Sequence, residues 1–203
     1  MTESYANEGD RAPSLKTIVE AILFAADEPL SARRMATILE EATPGVIDDI
    51  VAELNADYQR EDRAFRIHAI AGGYRMLTRP EYALWIKLLQ RSSRPRLSQA
   101  ALETLSIIAY RQPVPRTELE AIRGVNVDGV LKTLVERDLV RIAGRGEGLG
   151  RPLLYATTDH FLEYFGLPDL EALPRPEEVE LEVEREAGQP ELFEEPAPES
   201  GTA

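Results

Sequence analysis

Cysteine is absent from this chain of 203 residues, which excludes disulfides, thiolate nucleophiles and cysteine-bound zinc. Histidine is nearly absent. His68 falls in a predicted strand and His160 beside a predicted helix start, and neither has a metal-ligand spacing such as HxxxH or HExxH. Both are read as structural or solvated. No apolar run approaches the ~20 residues that span a bilayer. The first ten residues lack the basic start and apolar stretch of a signal peptide. There is no nucleophile elbow and no phosphate loop of the Walker type. The glycine-rich run Gly144 to Gly150 lies between two predicted strands. A dinucleotide loop instead opens a helix, so this run reads as the tip of a hairpin. Asp48 and Asp49 are adjacent on a helix and do not face each other, and Glu147 has no partner for acid–base work. The expectation is a cytoplasmic, soluble, non-enzymatic protein with no catalytic residue, no cofactor and no metal.

Basic residues are also in deficit: 23 Lys and Arg stand against 36 Asp and Glu, a net charge of −13. The imbalance is uneven. Residues 175–203 hold ten Glu and two Arg, alternate apolar with acidic positions and are rich in Pro and Gly. Such a segment cannot bury enough surface to offset its ordering entropy, so it is expected to be a disordered acidic tail that repels phosphate.

What is present is helical periodicity broken by hairpin signals. Residues 1–14 read as a flexible lead. A helix is predicted from Leu15 to Ala26 with Leu15, Ile18, Val19, Ile22 and Ala26 on one stripe. Ser31 is placed to cap a second helix that turns Met35, Ile38 and Leu39 inward. A third begins near Pro44 and buries Ile47, Ile50, Val51, Leu54 and Tyr58. Residues 65–70 and 74–78 read as strands joined at Gly72-Gly73. Pro80 opens a last helix with Tyr82, Trp85, Ile86 and Leu89 on one stripe. After a polar, basic linker at 93–97, which holds Arg94 and Arg96 and follows Arg91, the order repeats. Ser98 caps a helix that runs to Pro113, a short helix ends at Ile122-Arg-Gly-Val125, and a third carries Val127, Val130, Leu131, Leu134 and Val135. Two strands around the glycine-rich loop and an aromatic helix at Phe161 to Gly166 close the unit. An offset of 84 brings Ala25 onto Ala109, Pro29 onto Pro113 and Leu30 onto Val114. In the same order an offset of 79 brings Thr78 onto Thr157, Tyr82 onto Phe161 and Trp85 onto Tyr164. The reading is a duplicated fold: a mainly α, α+β chain of two tandem winged-helix domains, 15–92 and 98–174.

Winged helices commonly read DNA through their third helix, which needs donors for phosphate and base edges. Here the first unit's third helix offers Asp48, Asp49, Glu53, Asp57 and Glu61 against Arg60 alone. The second offers Asp128, Glu136 and Asp138 against Lys132 and Arg137. Both are poor DNA readers, although Arg141, Arg145 and Arg151 of the second wing could touch phosphate weakly. A tandem winged-helix transcription regulator is therefore the alternative, and protein contact is the first reading. Tyr110, Arg111, Arg151, Tyr155, Phe161, Tyr164 and Phe165 are the candidate partner-binding residues, because aromatics and Arg dominate interface hot spots. Tyr82, Trp85, Ile86 and Leu89 either close the first unit's own core or meet a second chain.

The stretch Ser98 to Pro113, the Ile122-Arg-Gly-Val125 step, the wing from Gly144-Arg145 to Gly150-Arg-Pro-Leu-Leu-Tyr155, and Thr157 to Leu167 resemble the segregation and condensation protein B family. The resemblance covers about residues 15 to 174. Leu149 and Ala156 depart from it, where proline and glycine are expected. The resemblance implies two winged helices per chain, a homodimer formed largely through the first domain, and binding of the central region of a kleisin through the second. Through the kleisin it implies association with an SMC ATPase in chromosome condensation and segregation, on the nucleoid, with DNA contact indirect or weak and no membrane.

Overall fold

A computed structural model describes residues 13–40, 42–89, 97–147 and 150–175. The expected lead up to residue 12, Arg91, Arg94 and Arg96 with the linker to residue 96, Leu149 of the wing loop and the acidic tail from 176 lie outside the described residues. The chain is α+β. Residues up to Leu170 form one compact unit, and a separate segment begins at Glu171.

The first repeat opens with α1, Leu15–Ala25, capped by the Ser14 hydroxyl, which accepts from the Thr17 amide. Val19 and Leu23, one helical turn apart, are its buried residues. Leu23 lay off the expected stripe, and Ala26 has already left the helix. The second helix, α2 (Ala32–Ile38), is capped by Ser31 as the sequence predicts. Of its expected inward residues only Met35 is buried. Ile38 is exposed where the helix ends, and Leu39, just past it, is partly buried against the core. In α3, Pro44–Arg60, Thr43 is the cap and Pro44 takes the first turn, where its missing N–H is harmless. All five expected residues, Ile47, Ile50, Val51, Leu54 and Tyr58, are buried. They form the core with Val19, Leu23, Met35 and Ile67.

Strands β1 (Phe65–Ile70) and β2 (Gly73–Thr78) pair antiparallel, Phe65 opposite Thr78 and Ile70 opposite Gly73. The Asn55 side chain of α3 both donates to the Ile67 carbonyl and accepts from the Ile67 amide, each at 2.9 Å, which pins β1 to the helix. The turn is Ala71-Gly72, one residue earlier than expected. Both take positive φ, 49° and 69°, as a two-residue hairpin turn of this hand demands. Gly73 is needed in the strand for a different reason. A Cβ there would lie 2.8 Å from the Leu30 carbonyl carbon, because Leu30 exchanges backbone hydrogen bonds with Tyr74. Gly73→Ala is therefore expected to destabilise the chain by about 1–3 kcal/mol in urea unfolding. Gly45→Ala, with nothing within 4 Å, should leave stability unchanged or raised.

A single turn at Pro80–Tyr82 leads into α4, Ala83–Leu89, none of whose residues is buried. The second repeat follows with α5 (Gln99–Arg111), β3 (Val114–Pro115), α6 (Arg116–Arg123), α7 (Asp128–Glu136), β4 (Val140–Arg145), β5 (Leu153–Thr157) and α8 (Asp159–Phe165). Ser98 caps α5, and Ala101, Thr104, Leu105, Ile108 and Ala109 are buried along it. The left-handed Gly124 ends α6. Val127, Leu131 and Leu134 are buried as expected, but Val135 is exposed and Val130 only half-buried. The strand order is β3-β5-β4.

The duplication has a structural counterpart at the predicted offset. Ser14 and Ser98 both cap the opening helix. Leu30 pairs with Tyr74 of the first hairpin, and Val114 with Tyr155 of the second. Each repeat thus sets a helix, a short extended segment, two helices and a hairpin in the same order.

Candidate interaction surfaces

The acidic third helices keep many of their carboxylates occupied. The Lys16 ammonium donates to Glu53 at 2.6 Å and to Asp57 at 2.5 Å. The hydrogen bond from Lys16, with help from Arg60, holds the Asp57 carboxyl below the usual carboxylate range. The Tyr74 hydroxyl donates to Asp48 at 2.9 Å. In the second repeat Arg116 bonds to Asp128 at 2.5 Å and holds its carboxyl low in the same way. Cations on these faces are spent on their own acids, so neither helix offers a row of donors for phosphate.

Neither histidine joins a chemical site. His68 is exposed on β1, and His160 is half-buried in the first turn of α8. Among the described residues no group of three or more His, Asp or Glu is placed to hold a metal ion. Nor is any helix long and apolar enough to cross a membrane. A groove of about 490 Å³ between α5 and α7 is lined by Ser98, Ala101, Asn126, Gly129, Val130 and Thr133, a set without an acid–base pair.

What the fold does present is apolar surface in two places. The first is α4. Leu84, Trp85, Leu88 and Leu89 are 63, 62, 71 and 78% exposed. Tyr82 and Ile86 are half-buried, and the Tyr82 ring lies 6.4 Å from that of Trp85. Of the stripe read from the sequence, Trp85 and Leu89 therefore face outward and Tyr82 and Ile86 are partly covered. Leu84 and Leu88, one turn apart, widen the face and were not singled out by the sequence reading. Four large apolar side chains are thus exposed on a helix of seven residues, an apolar patch of the kind that interaction sites present.

The second place is the end of α8. Thr158 caps this helix by accepting from the Phe161 amide, and its hydroxyl bonds the Asp138 carbonyl at the head of β4. Phe161 is a correction to the expected contact set. At 3% exposure it belongs to the core and offers no surface. Tyr164 and Phe165 are exposed. The rings of Phe161 and Phe165 lie 4.9 Å apart, and those of Tyr164 and Phe165 5.0 Å apart in an edge-on arrangement. The buried ring thus fixes the exposed pair. Tyr155 is half-buried in the central strand β5. Tyr110 is exposed at the end of α5, and Arg111 pairs with Glu118 of α6 at 3.6 Å. Arg151, in the wing with a φ of 42°, gives its carbonyl to the Arg145 guanidinium. The α8 aromatics are therefore joined by ring contacts, while Arg111 pairs with α6 and Arg151 is held in its loop through its backbone carbonyl.

A third feature had no signal in the sequence. The amides of Ala71 and Gly72 donate to the carbonyls of Leu167 and Pro168, at 2.9 and 2.8 Å. Arg75 bonds Glu163 of α8 at 3.1 Å. The first hairpin thereby touches the end of the second repeat.

Comparison with known proteins decides the family. A sequence model of the segregation and condensation complex subunit ScpB matches residues 17–176. The chain belongs to the ScpB family. It is 54% identical over 177 residues to segregation and condensation protein B of Moorella thermoacetica, covering 86% of this chain and 90% of the relative. The protein of the same name from Geobacillus thermodenitrificans is 47% identical over 185 residues, covering 89% and 88%. Among solved structures, ScpB from Mycobacterium tuberculosis is 36% identical, with a TM-score of 0.36 over 75% of this chain and 94% of that one. A dimer of a ScpB N-terminal domain complexed with ScpA peptide is also 36% identical, with a TM-score of 0.34 over 36% of this chain and 91% of that one.

Proposed function

We propose that this ScpB-family chain is a non-catalytic adaptor subunit of a bacterial SMC–kleisin complex. It binds the kleisin ScpA, and through it the SMC ATPase, in chromosome condensation and segregation. The observation that carries the reading is the family match across nearly all the described residues. The two exposed apolar surfaces supply the physical means. On this reading α4 meets a second copy of the chain about a two-fold axis. The exposed aromatics of α8, with Tyr155, Tyr110, Arg111 and Arg151 elsewhere in the second repeat, receive the central region of ScpA. The protein works in the cytoplasm at the nucleoid without an active site of its own.

The solved ScpB N-terminal domain, itself a dimer, carries its ScpA peptide on that domain. A second reading therefore gives part of the ScpA contact to the first repeat. Separate substitutions in α4 and α8 distinguish the two.

Purification of the tagged chain from its native cell is the experiment. Recovery of a kleisin and an SMC ATPase is expected; their absence from a folded, abundant preparation contradicts the reading. Duplex DNA should bind only weakly at physiological salt, because the third helices hold their carboxylates against their own cations. A sequence-selective Kd of ~10 nM or tighter, the range of true regulators, would favour a transcription regulator instead.

A further inference from the structure

The contact between the first hairpin and the end of α8 has the construction of a latch. In a two-residue hairpin the turn amides have no acceptor inside the hairpin and point outward. Here the positive φ angles of Ala71 and Gly72 aim both amides at one stretch of backbone, the carbonyls of Leu167 and Pro168. Those carbonyls are available because α8 closes on itself first. Gly166, at φ 69°, and Leu167 return their own amides to Glu163 and Leu162. Two residues along β2 from the hairpin's glycine pair, Arg75 reaches Glu163. Both side chains are largely withdrawn from solvent, at 34 and 23% exposure, so screening weakens this pair less than an open surface pair. Glu163 immediately precedes Tyr164 and Phe165.

We propose that the Ala71-Gly72 turn and the Arg75–Glu163 pair form a latch between the two repeats that holds the C-terminal end of α8, and with it the Tyr164–Phe165 edge, in the form a partner recognises. The coupling to a partner rests on the ScpA reading above; the latch itself does not. Closure fixes the backbone just beyond the aromatic pair before binding. A partner chain that packs on Tyr164 and Phe165 then meets an ordered edge. By reciprocity the bound partner also favours the closed latch.

Amide hydrogen exchange on the full-length chain, followed by NMR, tests the latch. Ala71 and Gly72 should exchange slowly, unlike ordinary turn amides. Arg75→Glu should speed both by roughly ten-fold or more while the Ile67 amide, held by Asn55, stays protected. Arg75→Glu combined with Glu163→Arg should restore the slow rates. Free-rate exchange at Ala71 and Gly72 in the unaltered chain overturns the latch, as does a double variant as open as the single one. A peptide from the central region of ScpA tests the coupling. Affinity should fall several-fold in Arg75→Glu and return in the charge-swapped pair. Equal affinity in all three overturns the coupling. If no variant binds the peptide, the ScpA reading fails, and the coupling with it, while the exchange rates still decide whether the latch exists.

Discussion

Trp85→Glu combined with Leu88→Glu is expected to convert the full-length protein from a dimer to a folded monomer. The fold should survive because neither side chain supports it: both are more than 60% exposed, and no residue of α4 is buried. The dimer should not survive. Burying a Trp or Leu side chain contributes about 1.5–3 kcal/mol, and a two-fold interface loses each contribution twice. With charge introduced into an apolar contact, the loss is ~4 kcal/mol or more, about a thousand-fold in dimer affinity. Sedimentation velocity at micromolar concentration reads the result, and a melting curve confirms the fold. A folded variant that still dimerises places the interface elsewhere. A variant that unfolds shows that the α4 stripe closes the repeat's own core after all.

Tyr164→Ala should weaken binding of the ScpA central region by ~2 kcal/mol or more, about thirty-fold, with little change in stability. Its ring is half-exposed and gives up one edge contact with Phe165. Phe161→Ala, three residues earlier, should behave in the opposite way. That ring is 3% exposed, and its loss should destabilise the fold by about 3–5 kcal/mol. Titration calorimetry beside thermal unfolding separates the two outcomes. Unchanged affinity in Tyr164→Ala, with the companion Arg111→Ala equally silent, moves the ScpA surface away from the second repeat.

These contrasts show where sequence periodicity carries and where it stops. Over the 17 residues of α3 the apolar spacing is long enough to fix the buried face, and all five expected residues lie there. Helix ends defeat the same reasoning. Ile38 and Val135 are in phase with their stripes, but each sits where the helix stops and neighbouring elements no longer cover it. In the hairpin the glycine pair was legible, but its register was not. That register depends on Leu30, over forty residues away, pressing on Gly73. On α8 the aromatic cluster was visible as a cluster. Which ring faces the core depends on packing from the rest of the second repeat, so Phe161 could not be told from Tyr164. The Ala71–Leu167 and Gly72–Pro168 bonds join backbone atoms far apart in the chain, and backbone atoms carry no residue-specific signal. The partner itself became legible only through the spaced motifs that resemble the family.

The adaptor account is tested most directly by mixing the purified full-length chain with the central region of ScpA from the same genome and measuring mass by light scattering after gel filtration. The account predicts a stable complex containing two copies of this chain, lost when Tyr164 is replaced and reduced to a single copy when Trp85 and Leu88 are replaced. A folded chain that elutes at its own mass, with ScpA free at concentrations of roughly tens of micromolar, would contradict it.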